Sequence, residues 1–78
     1  MNIYWCFEKH DYYGLFVVAE TAGQAKRIYA DEVTEHFIDV RCHIYRKNVD
    51  EKVGIIECED TKTLKKYNLE YAEDEYDY

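Results

Sequence analysis

The sequence predicts one α+β domain, a small and mainly antiparallel sheet of three to four strands with one main helix packed on one face. Residues 2–8 and 38–46 alternate between two sets of side chains with the period of two that is typical of strands. From Thr21 onward, apolar residues recur at steps of three and four, which indicates an amphipathic helix. The predicted order is β-β-α-β, then a short fourth strand and a second helix.

The first two strands are expected to form a hairpin. Residues 2–8 are rich in aromatic and β-branched side chains, and their odd and even positions point to opposite faces of the sheet. Residues 15–20 follow Gly14, a residue typical of the end of a turn. Because this second strand carries apolar residues on both of its faces, we expect it in the interior of the sheet.

The main helix has a marked start. Thr21 and Gln24 form the T-x-x-Q pattern of a capping box, in which each side chain accepts a hydrogen bond from a backbone amide near the other residue. The apolar spacing continues to Phe37 and predicts that the helix covers one face of the sheet. Small residues near its start allow a close approach to the strands.

Residues 38–46 are predicted to form a third strand with one wet face, whose side chains are Asp39, Arg41, His43 and Tyr45. The other face is apolar, so we expect Val40 and Ile44 to be nearly inaccessible to solvent. A short strand is predicted at 53–57. Both helices are expected on the same face of the sheet.

The second helix is brief. Asp60 or Thr61 is expected to cap it, and it should run through Tyr67, with Asn68 in a left-handed conformation that ends it. Residues 1–69 therefore form the predicted domain, and residues 70–78 form an acidic, tyrosine-rich tail. The tail combines self-repelling acids with no apolar period, so we expect it to stay disordered until it binds a partner.

The charge is unevenly distributed. The chain has 17 acidic and 10 basic residues, a net charge of −7, and residues 57–78 contain eight of the acids but only three bases. Affinity for phosphate backbones and anionic lipids comes from Lys and Arg, so direct binding to nucleic acid or to a membrane is not expected. A basic protein surface is the favoured partner.

The cysteine count and the N-terminus indicate the compartment. Three cysteines, Cys6, Cys42 and Cys58, are an odd number, and no signal peptide is recognisable. We therefore expect reduced thiols in the cytoplasm. No apolar run approaches the roughly 20 residues that span a bilayer.

The sequence offers little for catalysis, a metal or a cofactor. It contains no CxxC, HxxxH or HExxH pair. It has no serine, which removes most hydrolase classes that rely on that nucleophile. Asp39, Arg41 and His43 share a strand face and could in principle orient a histidine base, but exposed cross-strand ion pairing is far commoner and is the favoured explanation. We expect a protein that is not an enzyme and holds no cofactor.

The candidate partner-binding residues lie in the C-terminal part of the chain. Closely spaced carboxylates can imitate duplex DNA, which presents one charge per about 1.7 Å of its axis, and tyrosines can anchor in pockets of a partner. The candidates are Glu57, Glu59, Asp60, Tyr67, Glu70, Tyr71, Glu73, Asp74, Glu75, Tyr76, Asp77 and Tyr78.

Four stretches resemble a known group of proteins. FVVAETAGQAK at 16–26, FIDVR at 37–41 and the later RKNVD and VGII are similar to short uncharacterised proteins of phages and prophages of Gram-positive bacteria, over residues 12–57. The resemblance implies a phage origin. Small acidic phage proteins resemble anti-defence inhibitors, including anti-CRISPR proteins, which occupy a nucleic-acid-binding site on a host enzyme. The resemblance therefore implies that this chain is an inhibitor that docks on a basic surface of a host protein.

Two other functions stay open. Arg41, His43, Tyr45, Arg46 and Lys47 interleave bases and aromatics, a pattern typical of sheets that stack nucleotides, and indicate a small nucleic-acid-binding accessory protein. The second alternative is a structural homo-oligomer, joined through a sheet edge or through an exposed aromatic face.

Overall fold

Four strands and two helices make up the part of the chain that the structure, a computed structural model, describes, namely residues 1–8, 14–33 and 39–71. The elements are β1 (Asn2–Glu8), β2 (Gly14–Ala19), α1 (Ala22–Val33), β3 (Val40–Arg46), β4 (Gly54–Ile56) and α2 (Thr61–Lys66). The strands form one antiparallel sheet in the order β3-β1-β2-β4. The predicted α+β class is confirmed.

β1 and β2 form the predicted antiparallel pair, from Asn2 opposite Ala19 to Phe7 opposite Gly14. Each of these strands has a second neighbour, so both are interior strands. The apolar residues on both faces of β2 predict this position. Gly14 is needed for packing, because a Cβ atom there would lie 2.5 Å from the indole ring of Trp5.

α1 covers one face of the sheet. Ala25 and Tyr29 are buried, and they belong to one apolar cluster with Cys6, Val17 and Val40. The burial of small and aromatic residues along one side of the helix explains how it lies close to the strands. The described helix ends at Val33, and the predicted extension to residue 37 lies outside the described residues.

The capping box at the start of α1 is present with one difference. The hydroxyl of Thr21 accepts a hydrogen bond from the amide of Gln24 at 3.1 Å, as expected. The side-chain carbonyl of Gln24 accepts from the amide of Glu20 at 2.7 Å, so the reciprocal bond is made one residue earlier than the cap. Both bonds satisfy amides at a helix start that would otherwise face solvent.

The other face of the sheet is covered by the C-terminal part of the chain. Ile3, Phe16 and Val18 pack there against Leu64 of α2 and against Leu69. The expectation that both helices lie on one face is therefore wrong. The strands carry apolar side chains on both faces, and burying the face that points away from α1 requires a cover of its own.

α2 has the predicted caps. The carboxylate of Asp60 accepts a hydrogen bond from the amide of Thr63 at 3.2 Å. At the other end, Asn68 has φ = 58°, and the amide of Leu69 donates to the carbonyl of Leu64 at 2.8 Å. This is a Schellman motif, and the two leucines also pack together in the apolar cluster.

β3 is an edge strand, which changes the exposure of its apolar face. Val40 is fully buried, as expected, and Cys42 is half-buried against the cluster under α1. Ile44 is 44% exposed, so the expectation of an inaccessible side chain is wrong at this position. The cluster under α1 reaches Cys42 but does not extend to Ile44. Ile38 lies outside the described residues.

A β-bulge interrupts the pairing of β1 with β3. Tyr4 lies opposite Ile44, but Ile3 lies opposite Arg46, so Tyr45 is an additional residue in β3. Regular alternation would place the side chain of Arg46 on the α1 face. The extra residue turns Arg46 to the other face, where it reaches the end of α2.

Cys6 and Cys42 form a disulfide. They lie directly opposite each other on β1 and β3, with their Cα atoms 4.2 Å apart, the spacing of a cross-strand pair without mutual backbone hydrogen bonds. The expectation of reduced thiols is wrong for this pair, because the register of the two strands brings together residues 36 positions apart. Cys58 is exposed. In the described residues, no helix has the length and apolar character to cross a membrane.

Candidate protein-docking surface

Among the candidate partner-binding residues, Tyr71 packs on the domain itself. Its ring centroid lies 5.0 Å from that of Phe16 and 5.9 Å from that of Trp5, on the sheet face opposite α1. Its hydroxyl accepts a hydrogen bond from the amide of Phe16 at 2.8 Å and donates one to the carbonyl of Ile56 at 2.7 Å. Tyr71 is therefore part of the domain, two residues beyond the boundary expected at Leu69.

The surroundings of Tyr71 change the acidity of its phenol. Burial raises its pKa to about 12, because the anion would lose contact with water. The nearby Cys58 and Glu57 act in the same direction, while the hydrogen bond from Phe16 favours the anion. The hydroxyl thus keeps its proton at physiological pH and remains the donor to Ile56. A role as an exposed hot spot does not fit this residue.

The described acidic candidates fall into two groups. Glu57, Glu59 and Glu70 are exposed. Asp60 is also exposed, but one of its oxygens is already hydrogen bonded to α2 as the helix cap. Glu57 is close enough to raise the pKa of Tyr71, so its carboxylate lies near that side chain.

Tyr67 has a structural contact of its own. Its hydroxyl donates to the carboxylate of Glu51 at 2.9 Å, and the ammonium group of Lys66 lies 3.2 Å from the same oxygen. The hydrogen bonds from Tyr67 and Lys66 hold the pKa of Glu51 below its usual range. The half-buried Tyr67 therefore ties α2 to the segment between β3 and β4, which leaves it poorly placed to anchor in a partner.

The acid excess lies beyond Tyr71. Residues 39–71 contain seven acidic and seven basic residues, whereas residues 72–78 contain four acids and no base. More than half of the net charge of −7 is thus carried by the last seven residues. The remaining candidates, Glu73, Asp74, Glu75, Tyr76, Asp77 and Tyr78, lie outside the described residues.

Of the basic residues at 41–47, Arg46 already makes hydrogen bonds within the fold. The guanidinium of Arg46 donates to the carbonyls of Tyr67 at 2.9 Å and Tyr45 at 2.8 Å, so it caps the C-terminal end of α2. The aromatic residues near this stretch contact one another or are open to solvent. The ring of His43 stacks on Phe7 with centroids 5.6 Å apart and planes 18° apart, and Tyr45 is 48% exposed.

An open groove of about 590 Å³ lies beside β4. The segment 50–53 and the start of α2 line it, and Asp50, Glu51 and Asp60 contribute carboxylates. Two of these carboxylates are occupied, since Glu51 binds Tyr67 and Asp60 caps α2. In the ranges that the structure describes, no group of three or more His, Cys, Asp or Glu side chains is arranged to hold a metal ion. The groove therefore offers negative charge without a set of converging ligands.

Sequence reasoning missed the packing role of Tyr71, although a signal was present. Leu69 and Tyr71 are two residues apart, the spacing of an extended segment that buries one side, and both pack on the sheet. It also missed that Arg46 caps the end of α2, because that contact depends on the bulge in β3. Comparisons of this chain with protein-family models, with curated proteins and with solved structures found no match.

Proposed function

We propose that this chain is a non-enzymatic protein-binding module, a phage-encoded acidic inhibitor of the anti-CRISPR or DNA-mimic kind. It would dock on a basic, nucleic-acid-binding surface of a host protein in the bacterial cytoplasm. One observation carries the proposal. The four acids of residues 72–78 begin two positions after Tyr71, and they follow a stretch in which acids and bases balance.

The physical basis is competition for a basic surface. Such a surface binds DNA largely by releasing the counterions of the phosphates, and a dense run of carboxylates offers the same kind of charge. Charge complementarity also speeds the encounter of the two proteins. The two hydrogen bonds of Tyr71 hold this residue, which directly precedes residues 72–78 in the chain, against the sheet. Exposed Glu57 lies near Tyr71 and adds negative charge there.

The test compares two variants with the same change of net charge. The tail variant carries Glu73→Gln, Asp74→Asn, Glu75→Gln and Asp77→Asn. The control variant removes four exposed carboxylates elsewhere, through Glu20→Gln, Asp31→Asn, Glu32→Gln and Asp50→Asn. Each protein is immobilised and used to capture proteins from a lysate of a Gram-positive bacterium, with identification by mass spectrometry.

We expect the unmodified chain and the control variant to retain a nucleic-acid-binding protein that the tail variant retains much more weakly. Added duplex DNA and added salt should both release it, because the interaction is electrostatic. Equal retention by the tail variant would contradict the proposal. Retention that duplex DNA does not reduce would also contradict it.

A second function is favoured by the stacked pair of Phe7 and His43 beside the exposed Tyr45. Nucleotide bases stack on such rings, and Arg41 and Lys47 are exposed on the same strand and the turn after it. Under this function the unmodified chain binds a fluorescent single-stranded oligonucleotide, and Tyr45→Ala weakens binding. The tail variant should then bind more tightly, which is the opposite of its effect under the first function.

A further inference from the structure

The sheet face opposite α1 carries a row of rings along β1 and β3. The ring of His43 stacks on Phe7 with centroids 5.6 Å apart, and Trp5 lies opposite His43 in the strand register. His43 and Tyr45 are exposed, whereas Trp5 and Phe7 are half-buried. These four residues are called the aromatic strip below.

The apolar packing on this face reaches one end of the aromatic strip. Tyr71 packs beside Trp5, with ring centroids 5.9 Å apart, and both residues contact the cluster that contains Leu64 and Leu69. As far as the described residues go, this cluster includes Trp5 but not Phe7. An apolar surface that remains partly open to water gains free energy when another group covers it.

The sequence continues from this point with seven residues, 72–78, which contain four acids, two tyrosines and no base. Seven extended residues span about 23 Å, whereas the length of β3 from Tyr45 to Arg41 is about 13 Å. Tyr71 is held by its two hydrogen bonds at the Trp5 end of the aromatic strip. The segment that follows it is therefore long enough to run along the whole strip.

The charges on the two sides of Tyr71 differ. The groove beside β4 is lined by three carboxylates and one lysine, and Glu57 also lies near Tyr71. On the other side of the sheet, Arg41 and Lys47 are exposed and carry positive charge at the two ends of β3. Asp39 lies beyond Arg41, at the end farther from Tyr71. An acidic segment is thus repelled from β4 and attracted to β3.

We propose that residues 72–78 bind back onto the aromatic strip of the same chain, where their carboxylates face Arg41 and Lys47 and their tyrosines pack against the rings. The contact is autoinhibitory. While it is made, a nucleotide base or another planar ligand has no access to the strip, and a basic surface that captures the acidic segment exposes the strip. The contact forms within the free chain, so it does not depend on the proposed inhibitor function.

Trp5 gives a direct readout, because it is the only tryptophan of the chain. Quenching of its fluorescence by acrylamide is measured for the unmodified chain, the tail variant and the charge-matched control variant, with circular dichroism to verify folding. Acrylamide is uncharged, so the charge of the segment does not itself change the access of the quencher. The measurement is made at low salt and in about 1 M NaCl, where the Debye length is about 3 Å.

At low salt we expect stronger quenching in the tail variant, with its emission maximum shifted to longer wavelength, and equal, weaker quenching in the unmodified chain and the control variant. In about 1 M NaCl the three proteins should converge on the value of the tail variant, because screening releases the acidic segment. No partner is present, so this result is independent of whether a host protein binds.

Arg41→Gln tests the basic side of the contact. Its matched control is Arg27→Gln, since Arg27 is also exposed but lies on α1. Arg41→Gln should strengthen the quenching of Trp5 in the unmodified chain and should have no further effect in the tail variant, where the attraction is already lost. Arg27→Gln should change neither protein.

Three results would overturn the proposal. The first is equal quenching of the unmodified chain and the tail variant at low salt, and the second is an equal effect of the tail variant and the control variant. The third is protection of Trp5 that appears only as protein concentration rises, because the acidic segment of a second copy would then cover the strip.

Discussion

The phenolic oxygen of Tyr71 lies 2.8 Å from the amide nitrogen of Phe16, a residue 55 positions earlier in the chain. The same hydroxyl donates to the carbonyl of Ile56 at 2.7 Å. Phe16 and Ile56 face each other across β2 and β4, so one side chain joins the backbones of two strands. This contact closes the sheet face opposite α1 and makes the C-terminal segment part of the fold.

Tyr71→Phe should therefore destabilise the domain. The substitution keeps the ring against Phe16 but leaves the half-buried amide and carbonyl without the hydroxyl between them. The expected loss is about 1–3 kcal/mol, the cost of leaving such groups unsatisfied. Urea denaturation measures it, with Tyr45→Phe as the control, since Tyr45 is 48% exposed. An unchanged midpoint for Tyr71→Phe would show that the two hydrogen bonds contribute nothing.

The same residue should make the protein sensitive to alkaline pH. The pKa of Tyr71 is raised from the usual 10.0 to about 12 in the folded state. Between these values the unfolded chain loses the proton while the folded chain keeps it, so the free energy of unfolding falls as pH rises. Below pH 10 the contribution is constant. Stability curves for the unmodified protein and Tyr71→Phe should converge from pH 10 to pH 12, and parallel curves would contradict this.

Reduction of the disulfide should lower the melting temperature. Cys6 and Cys42 are separated by 36 residues, and closing a loop of that length stabilises a fold by about 3–4 kcal/mol in the chain-entropy description. Thermal unfolding is measured with and without dithiothreitol. Cys42→Ala should melt lower and should not respond to the reductant. Cys58→Ala should behave as the unmodified protein does, and a similar response of all three would refute the pairing.

Charge at two positions of β3 should have different consequences. Val40→Asp places a carboxylate at a fully buried position and should unfold a domain whose total stability is about 5–10 kcal/mol. Ile44→Asp, at a position 44% exposed on the same face, should cost about 1 kcal/mol or less. Circular dichroism of the two variants compares them directly. Equal destabilisation would mean that Ile44 is covered within the isolated domain.

The features that the sequence determined by itself depend on neighbours along the chain. The two faces of β1, the capping residue Thr21 of α1 and the left-handed Asn68 after α2 follow from periods and from side-chain bonds that span a few residues. These interactions form in the same way wherever the element lies in the fold. For that reason the α+β class was predictable before strand order or register was known.

The tertiary structure alone decided the features that join distant residues. The register of β1 with β3 pairs Cys6 with Cys42. The bulge at Tyr45 turns Arg46 toward α2. Tyr71, which the sequence places in the acidic tail, packs on the sheet face opposite α1. Each of these depends on which strands are adjacent and by how many residues they are offset. A local pattern carries no information about that offset, because a period of two is satisfied equally by every even shift of one strand against its neighbour.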